Sequence, residues 1–380
     1  MDSVVIIGSG LAGYALAREL RKLDVVTPLV ILSRDEASFC SKPMLSNALA
    51  SGKSAAQIAS ASAEQMAAQL GARIMAGTEV EAIDTARCTL HAGEVAIRYS
   101  KLVLALGADP IALPLAGDAA NEVMRVNDLA AYARFRAAIE GKQRVVLLGA
   151  GLIGCEFAND LAAAGYRVRV IDPAPRPLGR LLPEAAAERV QLGLAAMGVV
   201  WHLGTTARSV SRAVSGLRVD LADGTALEAD AVLSAIGLRP RTQLAQHAGL
   251  KIHRGIVTDR RLQTSAADAY ALGDCAEVDG QTLPYVLPIM QAARALAKTL
   301  TGTATPVVYP AMPVVVKTPA MPVVVCPPPA LPGSWKLQQD ASGIEARFED
   351  ESGKLLGFAL VGAATARKQA LTRLTPPVLV

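Results

Sequence analysis

The sequence has few cysteines, and they do not form the patterns that redox or metal chemistry needs. There are five in 380 residues, no two of them in a C-x-x-C pair, and they do not share a metal-ligand spacing with the four histidines. We therefore expect neither a cysteine relay nor a metal or iron–sulfur centre held by this chain. The thiols, which we expect to be small buried side chains, are Cys40, Cys88, Cys155, Cys275 and Cys326.

Long apolar runs and clusters of like charge are also missing. No uninterrupted apolar run reaches the roughly 18 residues that a membrane-spanning helix needs. The net charge of +4 is spread along the chain without a polybasic run, which disfavours nucleic-acid binding but suits the docking of a small acidic partner. The first apolar run begins at Val4, so we expect no signal peptide. These absences predict a soluble, cytoplasmic protein with no membrane partner.

The composition is otherwise that of a large, well-buried protein. Apolar residues make up 52% of the chain and charged residues 19%, which argues against disorder. The length is enough for two or three domains and a large core. Together these values favour the α/β class.

A glycine fingerprint follows the first apolar run. The run Val4–Ile7 is typical of a parallel strand buried on both faces, and Gly8, Gly10 and Gly13 then form G-x-G-x-x-G. In this pattern the glycines allow a sharp turn, the approach of a pyrophosphate and close packing of the helix on the strand. The helix that begins at Leu11 directs its free N–H groups at the phosphate. The stretch predicts a dinucleotide site.

An acidic pair follows the next strand, at residues 29–32. The strand ends before Ser33, Arg34, Asp35 and Glu36. A carboxylate at this place in the fold holds the adenosine ribose through its hydroxyls. We take Asp35 for this role and keep Glu36 as the alternate.

A second complete unit occurs in the middle of the chain. The strand Arg144–Leu148 leads into Gly149, Gly151 and Gly154, and the strand after the helix ends at Asp172. Two fingerprints, each with its acidic residue, predict two different dinucleotide sites.

The acidic residue of the second unit bears on the choice of nucleotide. Asp172 favours NAD over NADP, because a 2′-phosphate would meet its negative charge. Arg176 and Arg180 lie nearby in sequence; they either soften that preference or are plain surface charges.

Two charged residues are candidates for the space between the nucleotides. Glu156 follows Gly154 by two residues on the second fingerprint helix, among apolar neighbours, so we expect it to face the cleft. Lys42 stands before Pro43 in the segment SKPMLS and is expected to point inward, although a solvated loop lysine remains an open alternative.

The end of the chain differs in character. The motif AMPVVV occurs at 311–316 and again at 320–325, with Lys317 between the copies. These runs predict two adjacent short edge strands, where proline is tolerated. Further strands are expected over 335–360 and a final helix over 363–371. We assign 303–380 to a third, smaller α+β domain.

The order of these motifs resembles that of the FAD-dependent pyridine nucleotide oxidoreductases, flavoprotein reductases with two dinucleotide-binding domains. The resemblance covers the whole chain. Its further motifs are LVLALG, SAIGLRP and TSAADAYALGDCAEVDG. Within that superfamily the chain is similar to the rubredoxin reductases, through the segments SKPMLS, GAGLIGCEFANDL, YALGDCAEVDG and VVVKTPAMP.

The resemblance implies an α/β fold with two Rossmann-like domains and a smaller α+β domain. It implies a discontinuous FAD domain of residues 1–109 and 238–302, an NAD domain of 110–237 inserted between them, and the C-terminal domain 303–380 over the flavin. One FAD would bind non-covalently to each chain, with NADH as co-substrate. A monomer or weak dimer is expected.

The resemblance also implies roles for single residues. Lys42 and Lys317 would lie against the isoalloxazine, and Glu156 where nicotinamide meets flavin; these three are the catalytic candidates. Gly273 and Asp274 would hold the ribityl and phosphate portion, and the backbone near Val286 the pyrimidine edge. The other candidates for cofactor binding are Gly8, Gly10, Leu11, Ala12, Gly13, Ser33, Arg34, Asp35, Val80, Gly107, Gly149, Gly151, Leu152, Ile153, Gly154, Asp172 and Gly237.

The chain departs from some branches of the superfamily. Disulfide reductases carry a cysteine pair and a C-terminal histidine, whereas the last histidine here is His253. NADH oxidases and peroxidases carry a redox cysteine near position 42, where this chain has Lys42; Cys40 falls two residues early.

Without a cysteine relay, the flavin itself would pass electrons from NADH singly to an iron protein. The resemblance implies acidic rubredoxin as that partner, feeding an iron oxygenase such as an alkane hydroxylase. Three alternatives remain: a ferredoxin reductase of an oxygenase system, a flavin NADH oxidase, and a nucleotide-sensing regulator. We further expect Lys42 to pair with Glu156, leaving a gated floor for nicotinamide.

Overall fold

The computed structural model describes residues 3–380. Each of the two fingerprints follows a strand of its own parallel β-sheet. The first sheet has five parallel strands. Their spatial order is Ala269–Ala271, Lys101–Leu104, Val4–Ile7, Leu29–Leu32 and Arg73–Met75. Its central strand is buried on both faces, as the run of β-branched residues predicts. Because the strand Ala269–Ala271 follows the second fingerprint in sequence, the chain returns to the first sheet after it has formed the second.

The second sheet has four parallel strands. Their order is Val200–Leu203, Arg167–Asp172, Arg144–Leu148 and Ala231–Ser234. The expected strand Arg144–Leu148 has the bounds that its sequence pattern predicts. The predicted α/β class with two Rossmann-like units is confirmed.

Short antiparallel pieces surround the two parallel sheets. Two chain crossovers lie side by side, since Ala108–Pro110 pairs with Leu238–Pro240. Two three-stranded sheets consist of Ala82–Asp84, Thr89–Ala92 and Val95–Arg98, and of Ala207–Arg212, Leu217–Leu221 and Ala226–Ala229. Two more strand pairs join Phe39–Cys40 to Ala59–Ala61 and, in parallel, Ile256–Thr258 to Ala276–Val278.

Helices cover the sheets. The fingerprint helices are Leu11–Leu23 and Leu152–Ala163, and Leu11–Leu23 packs along Val286–Leu300. The remaining α-helices are Ala55–Ile58, Ala63–Leu70, Leu129–Ile139, Glu184–Ala195, Gln243–His247 and Lys368–Leu374. Three 3₁₀ turns are Lys42–Met44, Ala120–Glu122 and Ala363–Arg367. Within residues 3–380, no helix has both the length and the apolar character for crossing a membrane.

The C-terminal segment forms an antiparallel sheet of its own. The five strands lie in the order Val314–Val316, Val323–Cys326, Leu355–Gly362, Gly343–Glu349 and Ser334–Gln339. The two AMPVVV copies do supply adjacent strands, but the expectation that both are edge strands is wrong. Val323–Cys326 is an inner strand, because Pro322 lies just outside it and leaves its N–H groups able to pair.

This sheet is sandwiched between the second dinucleotide unit and the final helix. One face, with Val323, Val325 and Val361, joins the core formed by the helix Glu184–Ala195. The other face, with Phe358, packs on Leu371. Gly193 permits the close approach, since a Cβ there would lie 2.7 Å from Met321. The C-terminal sheet is thus a fixed wall beside the second unit.

Candidate active site

The glycines of the first fingerprint have three different roles. Gly8 adopts a φ of +114°, and a Cβ there would lie 2.2 Å from the carbonyl oxygen of Ala105. A Cβ on Gly13 would lie 2.0 Å from the carbonyl oxygen of Gly8. Gly10 faces open space. The loop is therefore tightly packed at Gly8 and Gly13 and open at Gly10, as the approach of a pyrophosphate requires.

Asp35 stands beside this loop with half of its carboxylate available. Its Oδ1 accepts hydrogen bonds from Ser33 Oγ at 2.7 Å, from the Ala37 N–H at 3.0 Å and from Ser9 Oγ at 3.4 Å. Its Oδ2 accepts none within residues 3–380, so it suits a ribose hydroxyl. Arg34, also a candidate, forms an ion pair with Asp109 at 3.6 Å.

The second fingerprint repeats the same geometry. Gly149 has a φ of +106°, a Cβ on Gly154 would lie 2.0 Å from the Gly149 oxygen, and Gly151 faces open space. Asp172 Oδ2 accepts the N–H of Ala150 at 2.6 Å, so this acidic residue shapes the loop directly.

Both fingerprint helices begin with unsatisfied donors. Gly10 and Gly151 are the N-cap residues, and neither helix has a side-chain cap. The first N–H groups of a helix and its positive dipole end attract an anion. These two helix ends and the open glycines fit two dinucleotide pyrophosphates.

Gly273 and Asp274 meet the start of the first fingerprint helix. A Cβ on Gly273, whose φ is +82°, would lie 2.7 Å from the Cβ of Ala12. Burial raises the pKa of the Asp274 carboxyl, against the opposing effect of Lys42 and Arg241. Asp274 accepts no hydrogen bond within the described part of the chain, which leaves it able to accept one from a polar cofactor.

Lys42 points inward, as expected, but toward a different partner. It is the first residue of the 3₁₀ turn Lys42–Met44, and its Nζ donates to Asn127 Oδ1 at 3.4 Å. Burial lowers the pKa of Lys42, and the nearby Asp274 carboxylate partly opposes this. Asn127 is held in turn by its Nδ2, which donates to the carbonyl oxygen of Ala108 at 2.8 Å.

Glu156 pairs with Lys317, and the expected pair between Glu156 and Lys42 is wrong. Glu156 is 1% exposed. Its Oε2 accepts from Lys317 Nζ at 2.5 Å and from Ser46 Oγ at 2.5 Å, and its Oε1 accepts from the Lys317 backbone N–H at 2.9 Å. Lys317 Nζ also donates to Ser46 Oγ at 2.9 Å and to the carbonyl oxygen of Pro43 at 2.6 Å.

This pairing separates the roles of the two lysines. An ammonium group has three donors, and Lys317 directs all three at protein acceptors. Lys42 makes one long hydrogen bond within residues 3–380. Lys42 is therefore the cation with donors left for a cofactor, whereas Lys317 neutralises Glu156 and joins it to the segment 43–46.

Two polar residues on the same helix were not predicted as site residues. Asn159 and Asp160 follow Glu156 at helical spacings and are 5% and 3% exposed. Asp160 accepts the N–H groups of Leu49 and Ala50, both at 2.9 Å, and Asn159 accepts that of Ala320 at 3.1 Å. The motif EFAND, three polar residues on one face of an apolar helix, was the available indication.

The remaining candidates lie around these groups without a contact that tests their roles. Gly107 and Gly237 have positive φ values of 71° and 122° beside the paired crossovers. Val80 is buried. Leu152 and Ile153 open the second fingerprint helix, and Val286 opens the helix that ends at Leu300. Their assignment to the cofactors stays a prediction.

The thiol of Cys40 is not in a state that favours reaction. Cys40, the thiol nearest to Lys42 in sequence, is half-buried, and burial raises its pKa to about 11. A thiol with so high a pKa is protonated at neutral pH and a poor nucleophile. Within residues 3–380, no group of three or more metal-ligating side chains comes together.

Comparison with known proteins identifies the family. Residues 2–298 match the family described as pyridine nucleotide-disulphide oxidoreductase, and residues 306–375 match the one described as rubredoxin binding C-terminal domain. The chain therefore belongs to the pyridine nucleotide-disulphide oxidoreductases. As expected from the sequence, it is an oxidoreductase that uses FAD and NADH.

Individual relatives are similar over their full length. The chain is 50% identical to rubredoxin-NAD(+) reductase of Alcanivorax borkumensis, covering 100% of both chains. It is 49% identical to rubredoxin-NAD(+) reductase of Acinetobacter baylyi, covering 100% of this chain and 99% of the relative. Among solved structures, the ferredoxin reductase for the CYP199A2 system of Rhodopseudomonas palustris superimposes with a TM-score of 0.89 at 26% identity, covering 99% and 96%.

The structure shows what holds Arg176, one of the two arginines that could weaken the preference for NAD over NADP. Arg176 donates through Nε to Glu188 at 3.0 Å and through Nη2 to Glu184. The Leu178 N–H donates to the Ala150 oxygen at 2.8 Å, so this loop folds back on the second fingerprint. Arg176 is thus close to the nucleotide site but held by two carboxylates.

Releasing Arg176 should improve the use of NADPH. In the double variant Glu184→Gln/Glu188→Gln we expect kcat/KM for NADPH to rise about fivefold, because the released guanidinium can pair with the 2′-phosphate. The value for NADH should not change, because Asp172 is intact. Steady-state kinetics with both nucleotides measures this, and adding Arg176→Ala should abolish the gain; a gain that survives Arg176→Ala would contradict the explanation.

Proposed function

We propose that this chain transfers electrons from NADH through a bound FAD to rubredoxin. FAD, when bound, converts the two-electron donor into a source of single electrons. The observation that carries the proposal is that residues 306–375, which match a rubredoxin binding C-terminal domain, form the sheet that brings Lys317 to Glu156. The partner-binding domain is thus joined directly to the helix of the second nucleotide site.

The residues of the two fingerprints and their neighbours give the chain three tasks. Gly10 and Gly151 admit the two pyrophosphates to the helix N-termini, while Asp35 and Asp172 select the riboses. Asp274 accepts a hydrogen bond from a polar portion of the flavin cofactor.

Lys42 is our candidate for the electrostatic role at the flavin. Reduction places negative charge on the N1 side of the ring system, and a nearby cation stabilises that charge. Lys42 has donors available for this, whereas those of Lys317 are used by the protein. We propose Lys317 and Glu156 as the charge-neutral floor on which the nicotinamide packs.

A ferredoxin reductase is the second candidate function. The similarity to a ferredoxin reductase structure at a TM-score of 0.89 favours it, but that relative is 26% identical, against 50% for the rubredoxin-NAD(+) reductase. A flavin NADH oxidase needs a reactive thiol, and the raised pKa of Cys40 argues against one. Rubredoxin is therefore the acceptor we favour.

We place the reaction in the cytoplasm, where NADH is produced. Single-electron delivery suits an iron oxygenase as the final acceptor, for example an alkane hydroxylase. We keep the domain boundaries proposed from the sequence, at 109/110, 237/238 and 302/303.

The acceptor decides between these functions. Purified FAD-loaded protein is mixed with NADH or NADPH, and reduction of added rubredoxin or of a [2Fe–2S] ferredoxin is followed by absorbance. We expect fast NADH-dependent reduction of rubredoxin that falls steeply as salt is added, because opposite charges steer the docking. Faster reduction of ferredoxin would favour the second candidate, and reduction of neither would favour a nucleotide-sensing regulator.

Removing the Lys42 charge should make the flavin harder to reduce. In Lys42→Ala we expect the midpoint potential to fall by roughly 20–45 mV, which for two electrons corresponds to about 1–2 kcal/mol, and flavin reduction by NADH to slow. Spectroelectrochemical titration and anaerobic stopped-flow absorbance measure these changes. The exposed Lys53 of the same segment provides the control Lys53→Ala, and a potential equal in both variants would rule out the role given to Lys42.

A further inference from the structure

The second fingerprint helix carries a buried polar face that extends beyond its N-terminal turn. Glu156, Asn159 and Asp160 lie on one side of Leu152–Ala163, one turn apart. All three are at most 5% exposed. Polar side chains buried to this extent must find hydrogen-bond partners, and these three find theirs on two segments distant in sequence.

Asp160 binds the first of these segments through its backbone. Its Oδ2 accepts the N–H of Leu49 and its Oδ1 that of Ala50, both at 2.9 Å. Hydrogen bonds from backbone N–H groups to a carboxylate are short and strong. Leu49 and Ala50 belong to the same loop as the 3₁₀ turn Lys42–Met44. Asp160 thus fixes the loop that carries Lys42.

Asn159 binds the second segment in the same way. Its Oδ1 accepts the N–H of Ala320 at 3.1 Å. Ala320 belongs to a tight turn in which Thr318 Oγ1 donates to the carbonyl oxygen of Met321 at 2.7 Å. The turn follows Lys317 directly. One helix face therefore holds the loops of both lysines.

We propose that Asp160, supported by Asn159, is a positioning residue for hydride transfer, which sets the loop of Lys42 relative to the helix that binds the NADH pyrophosphate. The inference rests on the proposed function. The helix is rigid, its N-terminus fixes the nucleotide at Gly151, and its second and third turns fix the flavin-side loops. The separation of nicotinamide and flavin therefore depends on these backbone contacts.

Different residues determine the affinity for NADH and the rate of hydride transfer. NADH affinity comes from the open end of the helix at Gly151 and from Asp172, which Asp160 does not touch. The rate of hydride transfer depends on the approach of the two rings, and a misplacement of about 1 Å costs up to roughly a hundredfold in rate. Loosening the loop should therefore lower the reaction rate and leave nucleotide binding intact.

The variant Asp160→Asn tests this with little change in shape. The amide nitrogen replaces one acceptor with a donor that faces a backbone N–H, so one hydrogen bond is lost. We expect the limiting rate of flavin reduction in anaerobic stopped-flow experiments to fall by about tenfold or more, with the Kd for NADH within about twofold of the parent value. FAD content is measured in parallel.

Asp230→Asn is the matched control. Asp230 also accepts two consecutive backbone N–H groups, those of Gln143 at 3.1 Å and Arg144 at 2.8 Å, but at the edge of the second sheet opposite the fingerprint. It should lose stability and keep its rate. Asn159→Ala removes the one hydrogen bond to Ala320 and should lower the limiting rate less than Asp160→Asn does. If Asp160→Asn fails to retain FAD, the limiting rate of Asn159→Ala is the test in its place.

Two results would overturn the positioning role. One is a limiting rate in Asp160→Asn, or in Asn159→Ala if it replaces that variant, no lower than in Asp230→Asn. The other is a weaker Kd for NADH with an unchanged limiting rate. The half-reaction needs no protein acceptor, so a parent protein that is reduced by NADH but does not reduce rubredoxin would count against the proposed function and not against this inference.

Discussion

The buried carboxylate of Glu156 is the constraint on which the arrangement of the site depends. A carboxylate that is 1% exposed cannot remain charged without close partners, because its desolvation costs several kcal/mol. Its partners come from two other parts of the chain, Ser46 and Lys317, the latter 161 residues away. The charge is therefore satisfied only when the segment 43–46 and the C-terminal sheet are both in place against the second fingerprint helix.

The functional arrangement follows from that junction. Because Lys317 gives all three donors to protein acceptors, we propose that the loop of Lys42 supplies the cation for the flavin. Because the C-terminal sheet also shares a core with the helix Glu184–Ala195, the sheet that matches a rubredoxin binding domain is held firmly against the second dinucleotide unit. Polar contacts thus set the orientation of this sheet, and apolar burial supplies most of the stability.

The sequence predicted those parts of the molecule that depend on local patterns. Strand runs and glycine spacings determine the two fingerprint units, and the strand Arg144–Leu148 has its predicted bounds because each residue contributes to one repeating pattern. The partner of Glu156 was predicted wrongly, since Lys42 and Lys317 are both single cations in loops and only the three-dimensional pairing distinguishes them. Asp160 was missed although its helical spacing from Glu156 was visible, because its partners are backbone N–H groups, which the sequence does not mark.

A double-mutant cycle on Glu156 and Lys317 tests the central claim most directly. The free energy of unfolding of the FAD-loaded protein is measured for Glu156→Gln, Lys317→Met and the double variant, with Lys42→Met in place of Lys317→Met as the parallel cycle. We predict a coupling of about 2–3 kcal/mol for Glu156 with Lys317, because either single change leaves the buried Glu156 or the half-buried Lys317 unpaired, and less than about 0.5 kcal/mol with Lys42. Additive effects in the first cycle, or a larger coupling in the second, would contradict the account.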